Sequence, residues 1–135
     1  MIAILGILAA MAIPSLLSSK KAGKELSAIS SLRTISNAQN LYNTRYSYYA
    51  YLHELANKNM LDPVLSTATT IASAKSGYYF TCTKQGAGWW CVTARPASPG
   101  TSGDRCFRIS TNGVIYYKTT DDANIGTAID VKILK

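Results

Sequence analysis

MIAILGILAAMAIPSLL, residues Met1 to Leu17, decides how the rest of this 135-residue chain is read. No charge interrupts the run, and Ser15 is its only polar side chain. A helix needs a run of about 17–25 apolar residues to cross the ~30 Å of bilayer hydrocarbon. This run therefore predicts a membrane-type helix at the short edge of that range. A secretory signal would place a basic stretch ahead of the apolar run and a cleavage site after it. Ala9-Ala10 before Met11 imitates such a site, but apolar character continues through Ile13, Leu16 and Leu17. Gly6 and Pro14 weaken the helix locally; proline removes a backbone hydrogen bond and crowds the preceding turn. Membrane helices tolerate both where neighbouring helices re-satisfy the backbone.

Outward from this run, Lys20, Lys21 and Lys24 form a basic junction, and an amphipathic stretch follows. Leu26, Ile29, Leu32, Ile35, Ala38 and Leu41-Tyr42 recur every three or four residues with polar residues between them. That spacing predicts one apolar stripe on a helix. Together the two stretches predict one helix from Ile2 to about Tyr46, ~65 Å long at 1.5 Å per residue. Its first half is apolar all round, and its second half is apolar on one face only. The predicted division is residues 1–24 as the membrane or core segment and 25–135 as a globular head.

ILGILAAMAIPSLL followed by KKAGKE resembles the N-terminal helix of type IV pilins and of the related pseudopilins of type II secretion. The likeness extends further. Leu52–Pro63 reads LHELANKNMLDP, similar to the short helix that precedes a Gly-Tyr-aromatic strand in one pilin subgroup, here Gly77-Tyr78-Tyr79-Phe80. Family members carry a methylated N-terminal phenylalanine and a glutamate ahead of this point, so the resemblance makes Met1 an internal position of that helix. It implies a subunit held in the inner membrane with a periplasmic head, then moved by pilus assembly machinery into an extracellular filament of identical subunits. The residues it assigns to the filament core are Ile2, Ile4, Leu5, Gly6, Ile7, Leu8, Ala9, Ala10, Met11, Ala12, Ile13 and Pro14. Motility, adhesion and secretion are the roles such filaments serve. The lysines at the junction point the other way, since Lys and Arg usually mark the cytoplasmic side.

Beyond the long helix, Leu52–Met60 predicts a short helix ended by Asp62-Pro63, and Val64–Ser76 a loop with some helical turns. The remainder predicts an antiparallel meander. Tyr78–Thr83 and Trp89–Ala94 flank KQGAG, and ARPASPGTSGD is a long turn-rich connection. Arg105–Ser110 and Val114–Lys118 flank an Asn-Gly turn, and Ile129–Leu134 is a weak fifth strand. The fold class expected is α+β, with one long helix against a sheet of four or five strands.

Little in the chain invites catalysis. His53 is the sole histidine; Glu54 adjoins it, but no nucleophile elbow accompanies the pair. An exposed helix histidine is the plainer reading, and no enzyme is expected. Gly86 and Gly88 lie in a hairpin turn and open no helix, so phosphate-loop readings fail. Asp121, Asp122, Asn124 and Asp130 crowd one loop without the EF-hand spacing. Some pseudopilins hold calcium in such a loop, but a solvated turn is the default, and no metal or cofactor is expected. Fourteen Lys and Arg against seven Asp and Glu give a net charge of +7. This excess suits DNA or another anionic surface, although the cations are spread along the chain.

Cys82, Cys91 and Cys106 make an odd count without metal spacing. In an oxidising compartment, one bridge and one leftover thiol are expected. Cys82 and Cys91 flank KQGAG, so a simple hairpin is expected to set them side by side. Opposed Cβ atoms lie ~4.5–5.5 Å apart, within a modest adjustment of the ~3.5–4.5 Å a disulfide needs. Alternation favours Cys91–Cys106 instead, with Trp90, Val92, Phe107 and Ile109 on the core face. Register across the long loop is harder to fix, so Cys82–Cys91 is the expected bridge.

Overall fold

A computed structural model of the chain describes residues 2–119 and 132–133; of residues 2–18 and 132 it describes the backbone alone. Helix α1 runs unbroken from Ile2 to Tyr46, through Gly6, Pro14 and Gly23, as the two stretches predict. It ends where Ser47 takes a left-handed conformation (φ 65°). The Ser47 N–H still donates to Asn43 O at 2.8 Å, which closes the last turn.

Helices α2 (Leu52–Asn57) and α3 (Pro63–Thr67) follow. The first stops three residues short of the expected Met60, and the second gives the Val64–Ser76 stretch its one ordered helical piece. Asp62 starts α3 by accepting from Val64 N–H at 2.9 Å, and Pro63 at the first helical position needs no donor there. The strands are β1 (Tyr78–Gln85), β2 (Trp89–Pro96), β3 (Cys106–Ser110), β4 (Ile115–Lys118) and the two-residue β5 (Lys132–Ile133). They form one antiparallel sheet in sequence order. The fold is thus α+β, a long helix laid against a five-stranded meander. Of the expected Ile129–Leu134 strand, residues 129–131 and 134 lie outside the described residues.

The inward face of the helix is Ala28, Ile29, Leu32, Ile35, Ala38, Gln39 and Tyr42. It meets Trp90, Val92 and Ala94 of β2, Phe107 and Ile109 of β3, and Tyr78 and Phe80 of β1 in one core. Two expected stripe members fall elsewhere. Leu26 is 65% exposed and Leu41 52% exposed. At 100° per residue they project on the side opposite Leu32 and Ile35, while Glu25 and Ser36 occupy the inward arc. Apolarity alone misassigned these four positions.

The first hairpin corrects the expected disulfide. Strand β1 runs on to Gln85, paired with Trp89, so only Gly86-Ala87-Gly88 make the turn, with Gly86 at φ 61°. Cys82 therefore opposes Val92, and Cys91 opposes Thr83. Side chains alternate faces along a strand, so Cys82 and Cys91 point to opposite sides of the sheet. They are two thiols, not a bridge. The Cys91–Cys106 alternative places the faces correctly, with Trp90, Val92, Phe107 and Ile109 all in the core. Its register fails, because Cys91 opposes Ser110, four residues from Cys106. That offset is ~13 Å along a strand.

Candidate functional site

The second half of α1 is tied to the head at both ends by polar groups that its apolar pattern hides. Glu25 is almost fully buried. Its Oε1 accepts from the backbone N–H groups of Asp104 (3.0 Å) and Arg105 (3.2 Å). Its Oε2 accepts from Arg105 Nε (3.1 Å) and Nη2 (2.9 Å). A buried carboxylate is costly unless paired and hydrogen-bonded; this one has four donors, two from a guanidinium fork. The guanidinium also lies 5.2 Å from the Phe107 ring centre and 5.1 Å from that of Tyr117. One turn earlier, Lys21 Nζ pairs with Asp104 at 3.2 Å.

The loop that receives Glu25 is itself braced. Tyr78 O–H donates to Arg105 O at 2.7 Å. Burial, and then the nearby Glu25 charge, push the Tyr78 hydroxyl well above its ordinary value, so it stays a donor. Gly103 passes so close that any Cβ there would collide with the Tyr78 hydroxyl.

At the far end, Gln39 is fully buried. Its Nε2 donates to Ala50 O at 2.6 Å, and Ala50 N–H donates to its Oε1 at 3.0 Å. The amide acts as one rung of a strand ladder, satisfying a buried loop peptide that has no sheet partner. An aromatic group closes this end: Tyr42 and Tyr46 at 4.5 Å, Tyr42 and Tyr48 at 5.4 Å, and Tyr49 against Trp90 at 6.2 Å. The tyrosine-rich YSYYAY segment thus largely serves packing.

The sequence-derived candidates fare unevenly. Ile2, Ile4 to Ile13 and Pro14 all lie on one helical backbone. Among the described residues no helix is long and apolar enough to cross a membrane; the side chains of residues 2–18 lie outside that statement. His53 is exposed and stacks on Tyr51, ring centres 6.0 Å apart and planes at 8°. Glu54 turns away from it, accepting from Tyr51 N–H at 2.6 Å and lying 3.8 Å from Lys84 Nζ. Asp121, Asp122, Asn124 and Asp130 lie outside the described residues. Among the described residues no group of three or more His, Cys, Asp or Glu side chains is placed to hold a metal.

Cys82 lies on the core side, half-buried, and burial pushes its thiol up to about 12. Cys91, on the other face, accepts from Arg108 Nε at 3.2 Å. Glu25, Gln39 and Arg105 are the functional groups that sequence reasoning passed over. The available signal was positional: at 3.6 residues per turn, Glu25, Ala28, Leu32, Ile35, Gln39 and Tyr42 share one face. No family model, curated protein or solved structure matches the chain.

Proposed function

We propose that this chain is a structural subunit of a type IV pilin-like filament, assembled through its apolar N-terminal helix. One observation carries most of the weight: α1 is a single helix from Ile2 to Tyr46, and among the described side chains its clamps to the head begin at Lys21 and Glu25. The head thus grips the second half of a rod whose first half carries the uncharged run Met1–Leu17. Such a run has two natural solvents, lipid and other copies of itself. Gly6, Ala9, Ala10 and Ala12 permit close backbone approach, as small residues do between membrane helices. In this reading the inner membrane holds the subunit until assembly machinery extracts it, and neighbouring helices then replace lipid. The role is mechanical, and no reaction is assigned.

Electron microscopy of the purified full chain after detergent removal tests the reading. Regular filaments are expected, and Leu8→Asp is expected to abolish them while the near-UV circular dichroism of the head is kept. Assemblies that stop after a few subunits would favour the pseudopilin role. Amorphous aggregate from wild type and Leu8→Asp alike would overturn the proposal.

A further inference from the structure

Where the uncharged run of α1 meets the head, cations outnumber carboxylates among the described residues. Lys20, Lys21 and Lys24 stand on the helix and Arg105 just before β3, against Glu25 and Asp104. Both carboxylates are engaged: Glu25 holds Arg105 at 2.9 Å, and Asp104 holds Lys21 at 3.2 Å. Lys20 and Lys24 are left over. Among the described residues neither ammonium has a hydrogen bond, an ion pair or a ring to lie on. They are one turn apart, about 40° from each other round the helix. Lys20 is exposed. The stem of Lys24 rests against the head at Gly77, where an added Cβ would come 3.1 Å from its Cδ.

Position along the rod distinguishes these two from the other cations. At the far end Lys58 lies 5.5 Å over the Tyr46 ring, and Lys84 lies 4.6 Å over Tyr51 and 3.8 Å from Glu54. Arg33 and Arg45 stand about 24 and 42 Å beyond Leu17 along the helix axis. Lys20 and Lys24 stand only about 5 and 11 Å beyond it. Helical side chains lean toward the N-terminus, and lysine stems follow apolar surface while the ammonium stays in a polar layer. With the apolar run in hydrocarbon, both ammoniums therefore reach the headgroup layer, ~5–7 Å deep on each side of a bilayer. A zwitterionic headgroup brings its own ammonium beside the phosphate and cancels no net charge. An anionic one offers a phosphodiester to each unpaired lysine.

We propose that Lys20 and Lys24 form a docking site for anionic phospholipid of the phosphatidylglycerol kind, bound through its phosphodiester at the junction of rod and head. The inference rests on the membrane step of the proposed function and adds the lipid class which that step selects.

The test reconstitutes the full chain in phosphatidylcholine bilayers containing a trace of spin-labelled phosphatidylglycerol or spin-labelled phosphatidylcholine. Electron spin resonance then reads the fraction of each label that the protein immobilises. Wild type should hold the glycerol lipid over the choline lipid at least about twofold, as two lysines at an anionic surface allow. Lys20→Gln combined with Lys24→Gln should bring that ratio close to one, whereas Lys20→Arg with Lys24→Arg should keep it. Arg33→Gln with Arg45→Gln removes the same charge further along the helix and should leave the ratio as in wild type. Equal immobilisation of the two lipids by wild type overturns the inference and leaves the membrane step standing. So does a preference that survives Lys20→Gln with Lys24→Gln, or one that Arg33→Gln with Arg45→Gln abolishes equally. Immobilisation of neither lipid overturns the inference and the membrane step together.

Discussion

Glu25, with four hydrogen bonds, is the main tie between the helix and the loop before β3. Removing one partner of a buried ion pair leaves the other uncompensated, at a cost of 3–5 kcal/mol when both are fully enclosed. The Arg105 side chain keeps 30% exposure, so water takes up part of that cost. Glu25→Ala should therefore destabilise the head by about 2–3 kcal/mol, read as a lower urea midpoint at unchanged slope. A shift below 0.5 kcal/mol would reduce the clamp to a surface pair. Cys82 makes a second prediction at this scale. Its thiol is raised to about 12 by burial, so the fold favours the neutral form. That contribution is full below the ordinary thiol range and is lost as pH climbs through it toward 12. Iodoacetamide at pH 8 should label Cys82 at least about a hundredfold more slowly in the folded chain than in urea, since only the thiolate attacks. Peptide mapping without reductant should find no Cys82–Cys91 link.

Hairpins, helices and strand order were legible in the sequence because each is set by local pattern: alternation, glycine-rich turns, one unbroken apolar run. Long-range polar pairing was not. Cys82 shows how narrow the margin is: pairing it with Cys91 centres the hairpin between Gly86 and Ala87, half a residue from the observed centre at Ala87. That is enough to turn a proposed bridge into two thiols on opposite faces. Leu26 and Leu41 misled in the same way, since hydrophobicity reports what can be buried and helix phase decides what is. Glu25 and Gln39 were missed because their partners, Arg105 and the Ala50 peptide, lie 80 and 11 residues away. Of the helix, the inward residues from Ala28 to Tyr42 serve the head's own core. Deleting residues 1–20 should accordingly leave Lys21, Glu25 and that face intact, giving a soluble, folded monomer. Sedimentation and near-UV circular dichroism check this; a molten product would mean that the first half of the helix also stabilises the head.

Seen as a whole, the molecule joins a sheet of short-range closures to a helix docked on it by long-range ones. Each strand pairs with its neighbour in the chain, and Gln39 reaches only to Ala50. The contacts from Lys21 and Glu25 to Asp104 and Arg105 span 79 to 83 residues. Time of synthesis thereby enters the design. The amphipathic half of α1 leaves the ribosome long before Arg105 exists, and must wait for it while the hairpins form at their own pace. Contacts that bridge such separations come late, because loop closure must precede their gain. The helix is therefore expected to dock last, onto a sheet already assembled. Glu25→Ala should hasten unfolding in stopped-flow measurements while hardly slowing refolding, as expected for an interaction absent from the transition state. Until that last closure, the apolar run ahead of it is best kept in a solvent of its own.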